Sequence, residues 1–232
     1  MSTLLVVACS GFSRRAEDPA YGTDRALYLK QQHHSLSRLS YSCDVVLVNN
    51  GGVPDYLEYL DTLRGTYRVL DRENRGMSLG ALSDAWKTHP DYDYYILLED
   101  DYVFVLDYFD EEMEEMIGAV PDCGYMCQVA DTAAHDCLFP SFMNGIATSA
   151  LMNRLGGFLQ ENQPSNHAMG DQMQKDFGTQ IRETRQFTLA DMGSRFKAPF
   201  AETRGHTWNI VEYYPEAPYL LLVPSQIYTR EV

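Results

Sequence analysis

Positive charge is scarce in this sequence. Its 232 residues include 18 Lys and Arg against 33 Asp and Glu, which gives a formal net charge of −15. Such a chain repels the phosphate backbone of nucleic acids and the surface of anionic membranes, so we expect neither as a partner bound by charge alone. A local basic pocket for a small anion is still compatible with this balance.

Long apolar runs are also missing, although hydrophobic residues make up 45% of the chain. No run approaches the roughly 20 residues that a membrane-spanning helix needs, so we expect no membrane span. Cysteine is limited to five residues, and Cys9 and Cys43 fall in or beside predicted strands. Buried free thiols of this kind are typical of a reducing compartment, and we therefore expect a cytoplasmic protein.

Apolar strands alternate with amphipathic helices through the first half of the sequence. The predicted strands are Leu4–Ala8, Asp44–Val48, Tyr67–Leu70 and Tyr95–Leu98. The predicted helices are Arg25–Ser40, Pro54–Leu63, Ser78–Lys87 and Tyr108–Ile117. This alternation predicts right-handed crossovers and a mostly parallel central sheet with helices on both faces.

The second half of the sequence is less regular. A strand is predicted near Tyr125–Val129, and helices are predicted from Thr148 to Gly156 and from Met169 to Phe177. No repeat or linker divides the chain, so we expect one α/β domain over residues 1–232. In such sheets ligands collect at the carboxyl ends of the parallel strands, which assigns ligand binding to residues 1–104. Residues 105–232 are expected to form a smaller, irregular half.

Three consecutive acids, Glu99, Asp100 and Asp101, end the fourth predicted strand. Residues i and i+2 of a strand project to the same side, so Glu99 and Asp101 are expected to face one point, and Asp100 to face away or toward a neighbouring loop. Two or three carboxylates on a rigid strand suit Mg2+ or Mn2+, whose coordination a diphosphate and water can complete. The plain alternative is that these acids merely end a strand and are solvated or paired with arginine.

The order of these segments resembles that of nucleotide-sugar glycosyltransferases with the GT-A fold. LLEDDY (97–102) stands where that family has its D-x-D-type acidic motif, and VLVNNGG (46–52) resembles the segment that touches nucleobase and ribose. NRGMSLGALSDAW (74–86) resembles the segment that shapes the donor site. The resemblance covers residues 4–104 in order and extends more loosely to about residue 206.

The resemblance implies a Mn2+ or Mg2+ ion bound together with the diphosphate of a UDP-, GDP- or TDP-sugar. Asp101 is the first candidate metal ligand and Glu99 the second, since a longer carboxylate can replace the usual first Asp. Asn49 and Asn50 replace the usual acid pair, so carboxylate recognition of the nucleobase is not expected there. The expected donor contacts are Ser10, Gly11, Arg14, Asn49, Arg72, Asn74, Asp100, Arg195 and Arg204.

The second half of the sequence, residues 105–232, is expected to supply the acceptor site, the base and the third metal ligand. NGIATSALMNRLGGF (144–158) resembles the segment before the family's catalytic acid, and HAMGDQMQ (167–174) then offers Asp171. The resemblance implies that Asp171 deprotonates the acceptor hydroxyl in an inverting transfer, although retaining chemistry stays open. Its alternative role is to stabilise a helix N-terminus. The third metal ligand is His206, Asp191 or neither.

The expected function is therefore transfer of a sugar to a hydroxyl of a glycan or another acceptor, with nucleic acid disfavoured by charge. One alternative is a sugar-nucleotide pyrophosphorylase, which has a similar sheet. Such enzymes normally carry a glycine-rich, basic phosphate loop after the first strand, whereas Ser10 and Gly11 precede FSRR (12–15). Another alternative is a non-catalytic glycan-binding or scaffolding protein on the same fold, which substitution of Asp101 and Asp171 would distinguish.

Overall fold

The computed structural model describes residues 1–11, 26–130, 139–157, 177–181, 183–191 and 200–202. The strands are β1 (Thr3–Gly11), β2 (Asp44–Gly52), β3 (Arg68–Asp71), β4 (Tyr94–Glu99), β5 (Tyr102–Phe104), β6 (Cys123–Ala130), β7 (Phe139–Thr148), β8 (Thr188–Asp191) and β9 (Phe200–Glu202). The helices are α1 (Leu27–Arg38), α2 (Pro54–Thr62), α3 (Met77–Thr88), α4 (Phe109–Gly118) and α5 (Ser149–Leu155), and a 3-10 turn covers Leu63–Gly65. None of these helices has the length and apolar character needed to cross a membrane.

Seven strands form one mixed sheet in the order β3-β2-β1-β4-β7-β6-β8, and β5 pairs with β9 in a separate two-stranded sheet. The pairs β3–β2, β2–β1, β1–β4 and β6–β8 are parallel, whereas β7 runs antiparallel to both of its neighbours. The mostly parallel α/β sheet expected from the sequence is therefore confirmed. The first four strands all end at one edge, where ligands of parallel sheets bind.

Alternating side chains of the buried strands pack into two separate hydrophobic layers, one on each face of the sheet. Leu5, Val7 and Cys9 of β1 point to the layer that contains α1, α2 and α4. Leu4, Val6 and Ala8 of the same strand point to the layer that contains α3, α5 and residues 177–181. A central strand covered on both faces has to be apolar throughout, which explains why β1 is a continuous hydrophobic run rather than an alternating one.

The structure differs from the sequence prediction mainly in the second half. The sequence predicts an irregular stretch up to Gly145 and a helix from Thr148, yet residues 139–148 form β7, which pairs with β4 from Tyr94↔Thr148 to Leu98↔Asn144. Gly145 interrupts the apolar pattern of this strand because a Cβ there would lie 2.5 Å from the carbonyl oxygen of Met126. Helix α1 begins at Leu27, two residues later than expected. The helix predicted from Met169 lies outside the described residues except at its end.

The carboxyl ends of β1 to β4 and the loops that follow them form the edge that we call the rim. It consists of residues 10–11, 49–52, 71–76 and 99–101. Strands β1 and β2 continue into it, because their pairing extends to Gly11↔Gly52 after an irregularity at Ser10. Both strands therefore extend beyond their predicted ends at Ala8 and Val48 and include polar residues of the rim.

At the far end of the sheet, a buried aspartate joins the loop before β2 to the start of α4. Asp110 is fully buried, and its Oδ2 accepts hydrogen bonds from the Ser42 amide at 2.7 Å, the Ser42 hydroxyl at 2.9 Å and the Cys43 amide at 2.6 Å. Burial raises the pKa of the Cys43 thiol, with the Asp110 charge as the second cause, so this cysteine stays protonated.

Asp110→Ala is expected to lower the free energy of unfolding by about 2–4 kcal/mol, since it leaves the buried Cys43 amide and the part-buried Ser42 amide without an acceptor. Glu111→Ala changes the exposed neighbouring acid on the same helix and should stay within about 0.5 kcal/mol of wild type. Urea unfolding of both variants tests this. Equal stability of the two variants would contradict the assigned role of Asp110.

Candidate functional site

The three consecutive acids at the end of β4 are all buried. Glu99, Asp100 and Asp101 expose 8%, 1% and 0% of their surface. Strand β4 ends at Glu99, and Asp100 and Asp101 form a turn before β5. The alternation expected for a continuous strand therefore does not decide where Asp101 points, because the strand does not reach it.

Glu99 is held on the α3 side of the sheet. Its Oε1 accepts a hydrogen bond from the Ser78 hydroxyl at 2.6 Å, and Ser78 is the second residue of α3. Its backbone carbonyl accepts from the Gln32 side chain at 2.8 Å. The hydrogen bond from Ser78 places the Glu99 carboxylate at the positive end of the α3 macrodipole, which favours negative charge nearby.

Asp100 is held on the opposite side of the sheet. Its Oδ2 accepts hydrogen bonds from the Tyr56 hydroxyl and from the Ser10 amide, the latter at 3.1 Å. Its own amide donates to the carbonyl of Ala8 at 3.3 Å. Tyr56 belongs to α2 and is 2% exposed. Asp100 therefore connects the ends of β1 and β4 to a buried side chain of α2.

Asn49 is engaged at both ends of its amide. Its Nδ2 donates to Asp71 Oδ1 at 2.9 Å, and its Oδ1 accepts from the Gly51 amide at 2.9 Å. Arg64 also donates to Asp71 Oδ1, at 2.8 Å. The Arg64 hydrogen bond, followed by that of Asn49, lowers the pKa of Asp71. These contacts fix the end of β2, and both ends of the Asn49 amide form hydrogen bonds within the protein.

The Arg72 side chain likewise forms its hydrogen bonds with other residues of the protein. Its side chain is 7% exposed, and its Nε, Nη1 and Nη2 donate to Asp84 Oδ2, Asn50 Oδ1 and the Arg75 carbonyl, each at 2.6 Å. Arg72 thus joins the end of β2 and the loop after β3 to α3. The loop lies against Gly80 of α3.

Asn74 differs from the other polar side chains of this loop. Its Oδ1 is buried and has no hydrogen-bond partner. The next residues turn sharply into α3, with a positive φ of 72° at Gly76 and of 50° at Met77. A buried acceptor without a donor costs about 1–3 kcal/mol, so the loop carries a local energetic cost at a position where the sequence predicts ligand contact.

The remaining predicted site residues divide into two groups. Arg14, Asp171, Arg195, Arg204 and His206 lie outside the described residues. Asp191 is the last residue of β8. The pairs Leu97↔Gly145, Cys127↔Gly145 and Cys127↔Asp191 place its backbone at the same height in the sheet as Leu97 of β4. Three strand spacings separate β8 from β4, about 14 Å. This separation disfavours Asp191 as a ligand shared with Glu99.

A metal ion fits the rim by the chemistry of its donors, which are hard carboxylate oxygens. Among the described residues, no three His, Cys, Asp or Glu side chains converge into a group that could hold an ion. The acids of the rim would therefore supply one or two ligands, and the other ligands would come from elsewhere. Such sparse coordination is usual for Mg2+, which keeps waters and binds substrate phosphates.

Three partners of rim residues have no specific signal of their own in the sequence: Tyr56, Ser78 and Asp84. Tyr56 and Leu60 are buried on one face of α2, a pattern typical of ordinary core residues. The contact between Tyr56 and Asp100 joins residues 44 positions apart, so no local pattern reveals it. The only sequence signal is general, since a buried tyrosine hydroxyl usually has a hydrogen-bond partner.

Comparisons with known proteins identify the fold. No protein-family model matches the sequence, and no curated protein matches it significantly. The mannosyltransferase PcManGT from Pyrobaculum calidifontis, solved with GDP-Man and Mn2+, aligns with 82% of this chain and 54% of its own at 12% identity and a TM-score of 0.52. S. aureus TarS 1–349, solved with UDP-GlcNAc, aligns over 94% and 61% at 10% identity and a TM-score of 0.53.

A third solved structure belongs to a different enzyme class. CMP:2-keto-3-deoxy-manno-octonic acid synthetase, complexed with CTP, aligns with 89% of this chain and 93% of its own at 9% identity and a TM-score of 0.53. This chain thus spans about half of PcManGT but nearly all of the synthetase. At these identities the likeness establishes the fold alone, and the GT-A fold expected from the sequence is confirmed.

Gly80→Ala tests whether the loop after β3 packs against α3 at a point where a side chain would not fit. A Cβ there would lie 1.9 Å from the Arg75 carbonyl oxygen and 2.7 Å from Arg72 Nη2. Although alanine favours a helix, we expect a net loss of about 1–3 kcal/mol in the free energy of unfolding from this overlap. Urea unfolding measures the change.

Gly118→Ala is the matched control, because no atom lies within 4 Å of the added Cβ at the end of α4. It should leave stability unchanged or raise it by up to about 1 kcal/mol. If Gly80→Ala is as stable as Gly118→Ala, the loop does not rest on this helix face.

Proposed function

We propose that this chain is a metal-dependent glycosyltransferase that uses a nucleotide-diphosphate sugar. The observation that carries the proposal is the cluster of three buried acids at the end of the central parallel strand, at the edge where such sheets bind ligands. The GT-A fold supports it, as do the solved structures of similar fold that contain GDP-Man with Mn2+ or UDP-GlcNAc.

The charges of the rim favour a divalent ion as the positive partner of a diphosphate. The rim has two described arginines. Arg72 donates to Asp84 and to two oxygens of other residues, and Arg75 pairs with Glu73 at 2.6 Å. Arg64, beside the rim, binds Asp61 and Asp71. These cations already compensate protein carboxylates. Arg14, Arg195 and Arg204 are proposed to add positive charge around the phosphates.

Asp101 and Glu99 are proposed to hold the Mn2+ or Mg2+ ion. A carboxylate has two oxygens and can accept the Ser78 hydrogen bond while binding a cation, so the contact of Glu99 with α3 is compatible with this role. When bound, the ion supplies positive charge to the departing diphosphate. His206 is proposed as a further ligand.

In the proposed reaction, the acceptor hydroxyl replaces the nucleoside diphosphate on the anomeric carbon of the sugar. The acceptor hydroxyl oxygen forms a bond to the anomeric carbon while the bond from that carbon to the diphosphate oxygen breaks, and Asp171 takes the hydroxyl proton. A single displacement of this kind inverts the configuration at the anomeric carbon. The donor class is a UDP-, GDP- or TDP-sugar, and the acceptor is a hydroxyl of a glycan or a similar molecule.

A nucleotidyltransferase that makes an activated sugar from a nucleoside triphosphate is the second candidate. The observation in its favour is the nearly complete mutual coverage with the CTP-bound synthetase. The two candidates differ in their ligands and products. A glycosyltransferase binds a nucleoside diphosphate and releases it, whereas a nucleotidyltransferase binds a triphosphate and releases pyrophosphate.

Thermal unfolding with UDP, GDP, TDP and CTP, each with Mn2+ and then with EDTA, tests the proposal. A diphosphate at about 100 times its Kd should add about 2.7 kcal/mol of stability. In a chain of this size that corresponds to a rise in Tm of roughly 5–10 °C. The rise should require Mn2+, and Asp101→Asn should abolish it.

Glu58→Gln is the control for the lost charge, because Glu58 is an exposed acid of α2. This variant should keep the full rise in Tm. A larger rise with CTP, together with pyrophosphate release, would favour the nucleotidyltransferase. Absence of any nucleotide effect on the wild-type chain would contradict both candidates.

A further inference from the structure

We propose that Tyr56 and Asp100 form a positioning pair that fixes the turn carrying Asp101, and that Asp100 does not itself bind the metal ion. The inference rests on the proposed function, because it assigns the ion to Asp101. It gives a role to Tyr56, a core residue of α2 that the chemistry of the transfer does not use.

The geometry divides the neighbouring acids between two sides of the sheet. Glu99 is bonded to Ser78 of α3, and Asp100 is bonded to Tyr56 of α2. The Ser10 amide donates to the same oxygen of Asp100 that receives the Tyr56 hydroxyl. The Asp100 carboxylate thus faces the protein on the α2 side, where it ties down the first residue after the end of β4.

The position of Tyr56 is itself fixed by two glycines. A Cβ on Gly11 would lie 2.1 Å from Tyr56 Cγ, so the Tyr56 ring covers the bare backbone at the end of β1. A Cβ on Gly52 would lie 2.7 Å from Gly11 Cα, and the Val53 amide donates to the Gly11 carbonyl at 2.8 Å. The phenol therefore reaches Asp100 from a rigid frame formed by the ends of β1 and β2.

A rigid frame around one acid constrains the next, because Asp101 follows Asp100 directly in the turn. Asp101 is fully buried. Because it belongs to the same turn as Asp100, a small rotation of this turn would move the Asp101 carboxylate relative to any bound ion. Residues that orient metal ligands without touching the ion typically change metal affinity about 10–100-fold when they are replaced. The Tyr56 hydroxyl is placed to act in this way through Asp100.

The experiment measures the Kd of Mn2+ by electron paramagnetic resonance of the free ion, with Mn2+ alone and with UDP or GDP. Tyr56→Phe removes only the hydroxyl and should weaken Mn2+ binding about 10-fold or more. Tyr95→Phe is the matched control: Tyr95 is a buried tyrosine of β4 whose hydroxyl donates to the His89 carbonyl at 2.7 Å. It should stay within about twofold of wild type.

A pair of substitutions separates positioning from direct coordination. Asp100→Asn and Asp100→Ala remove the same charge, but the asparagine oxygen can still accept the bonds from Tyr56 and Ser10. We therefore expect Asp100→Asn to bind Mn2+ about 10-fold more tightly than Asp100→Ala. Adding Tyr56→Phe to Asp100→Ala should weaken binding no further, within about twofold, because both changes remove the same hydrogen bond.

Any of the following results would overturn the inference while leaving the proposed function intact: unchanged Mn2+ affinity in Tyr56→Phe, an equal loss in Tyr95→Phe, or equal losses in Asp100→Asn and Asp100→Ala. Additive losses in the double variant would also overturn it. If Tyr56→Phe does not fold, the comparison of the two Asp100 variants decides. Failure of the wild-type chain to bind Mn2+ under any condition, or full binding by Asp101→Asn, would instead overturn the proposed function and the inference with it.

Discussion

Burial of three adjacent carboxylates at the end of β4 is the constraint on which the rim depends. Buried charges are costly unless they are paired or bonded, and neighbouring carboxylates also repel one another. The structure separates them by ending the strand at Glu99. Glu99 is then bonded to Ser78 at the positive end of α3, and Asp100 is bonded to Tyr56 and the Ser10 amide on the other side. Asp101 follows these two anchored acids in the turn before β5.

The loops around the acids are held by contacts within the protein, and this decides what remains for a ligand. Arg72 joins Asn50, Arg75 and Asp84, and this contact set requires the bare backbone of Gly80. The rim therefore offers a preorganised surface whose described cations are already engaged. A diphosphate brought to this surface needs positive charge from another source, which is the physical argument for a divalent ion.

The parallel half of the fold was predictable because its signals are local. Apolar runs such as Leu4–Ala8 alternate with helices, and parallel topology alone places Glu99 and Asn49 at one edge. Strand β7 was not predictable, because its pairing with β4 is long-range and Gly145 interrupts its apolar pattern. The partners of the site residues were not predictable for the same reason. Sequence spacing cannot show that Arg72 forms a salt bridge with Asp84 or that Asp100 accepts a hydrogen bond from Tyr56. The acids were identifiable as a group, but their separate directions depend on tertiary contacts.

The most direct test of the central claim is a crystal structure with Mn2+ and the nucleoside diphosphate that stabilises the chain most, with the ion located by its anomalous scattering. We expect one Mn2+ peak at the rim, within about 2.0–2.3 Å of an Asp101 carboxylate oxygen and in contact with the diphosphate. Asp100 should still accept the hydrogen bond of Tyr56 in that complex. A peak bound by Asp100, or a diphosphate held at the rim by Arg72 with no ion beside Asp101, would contradict it.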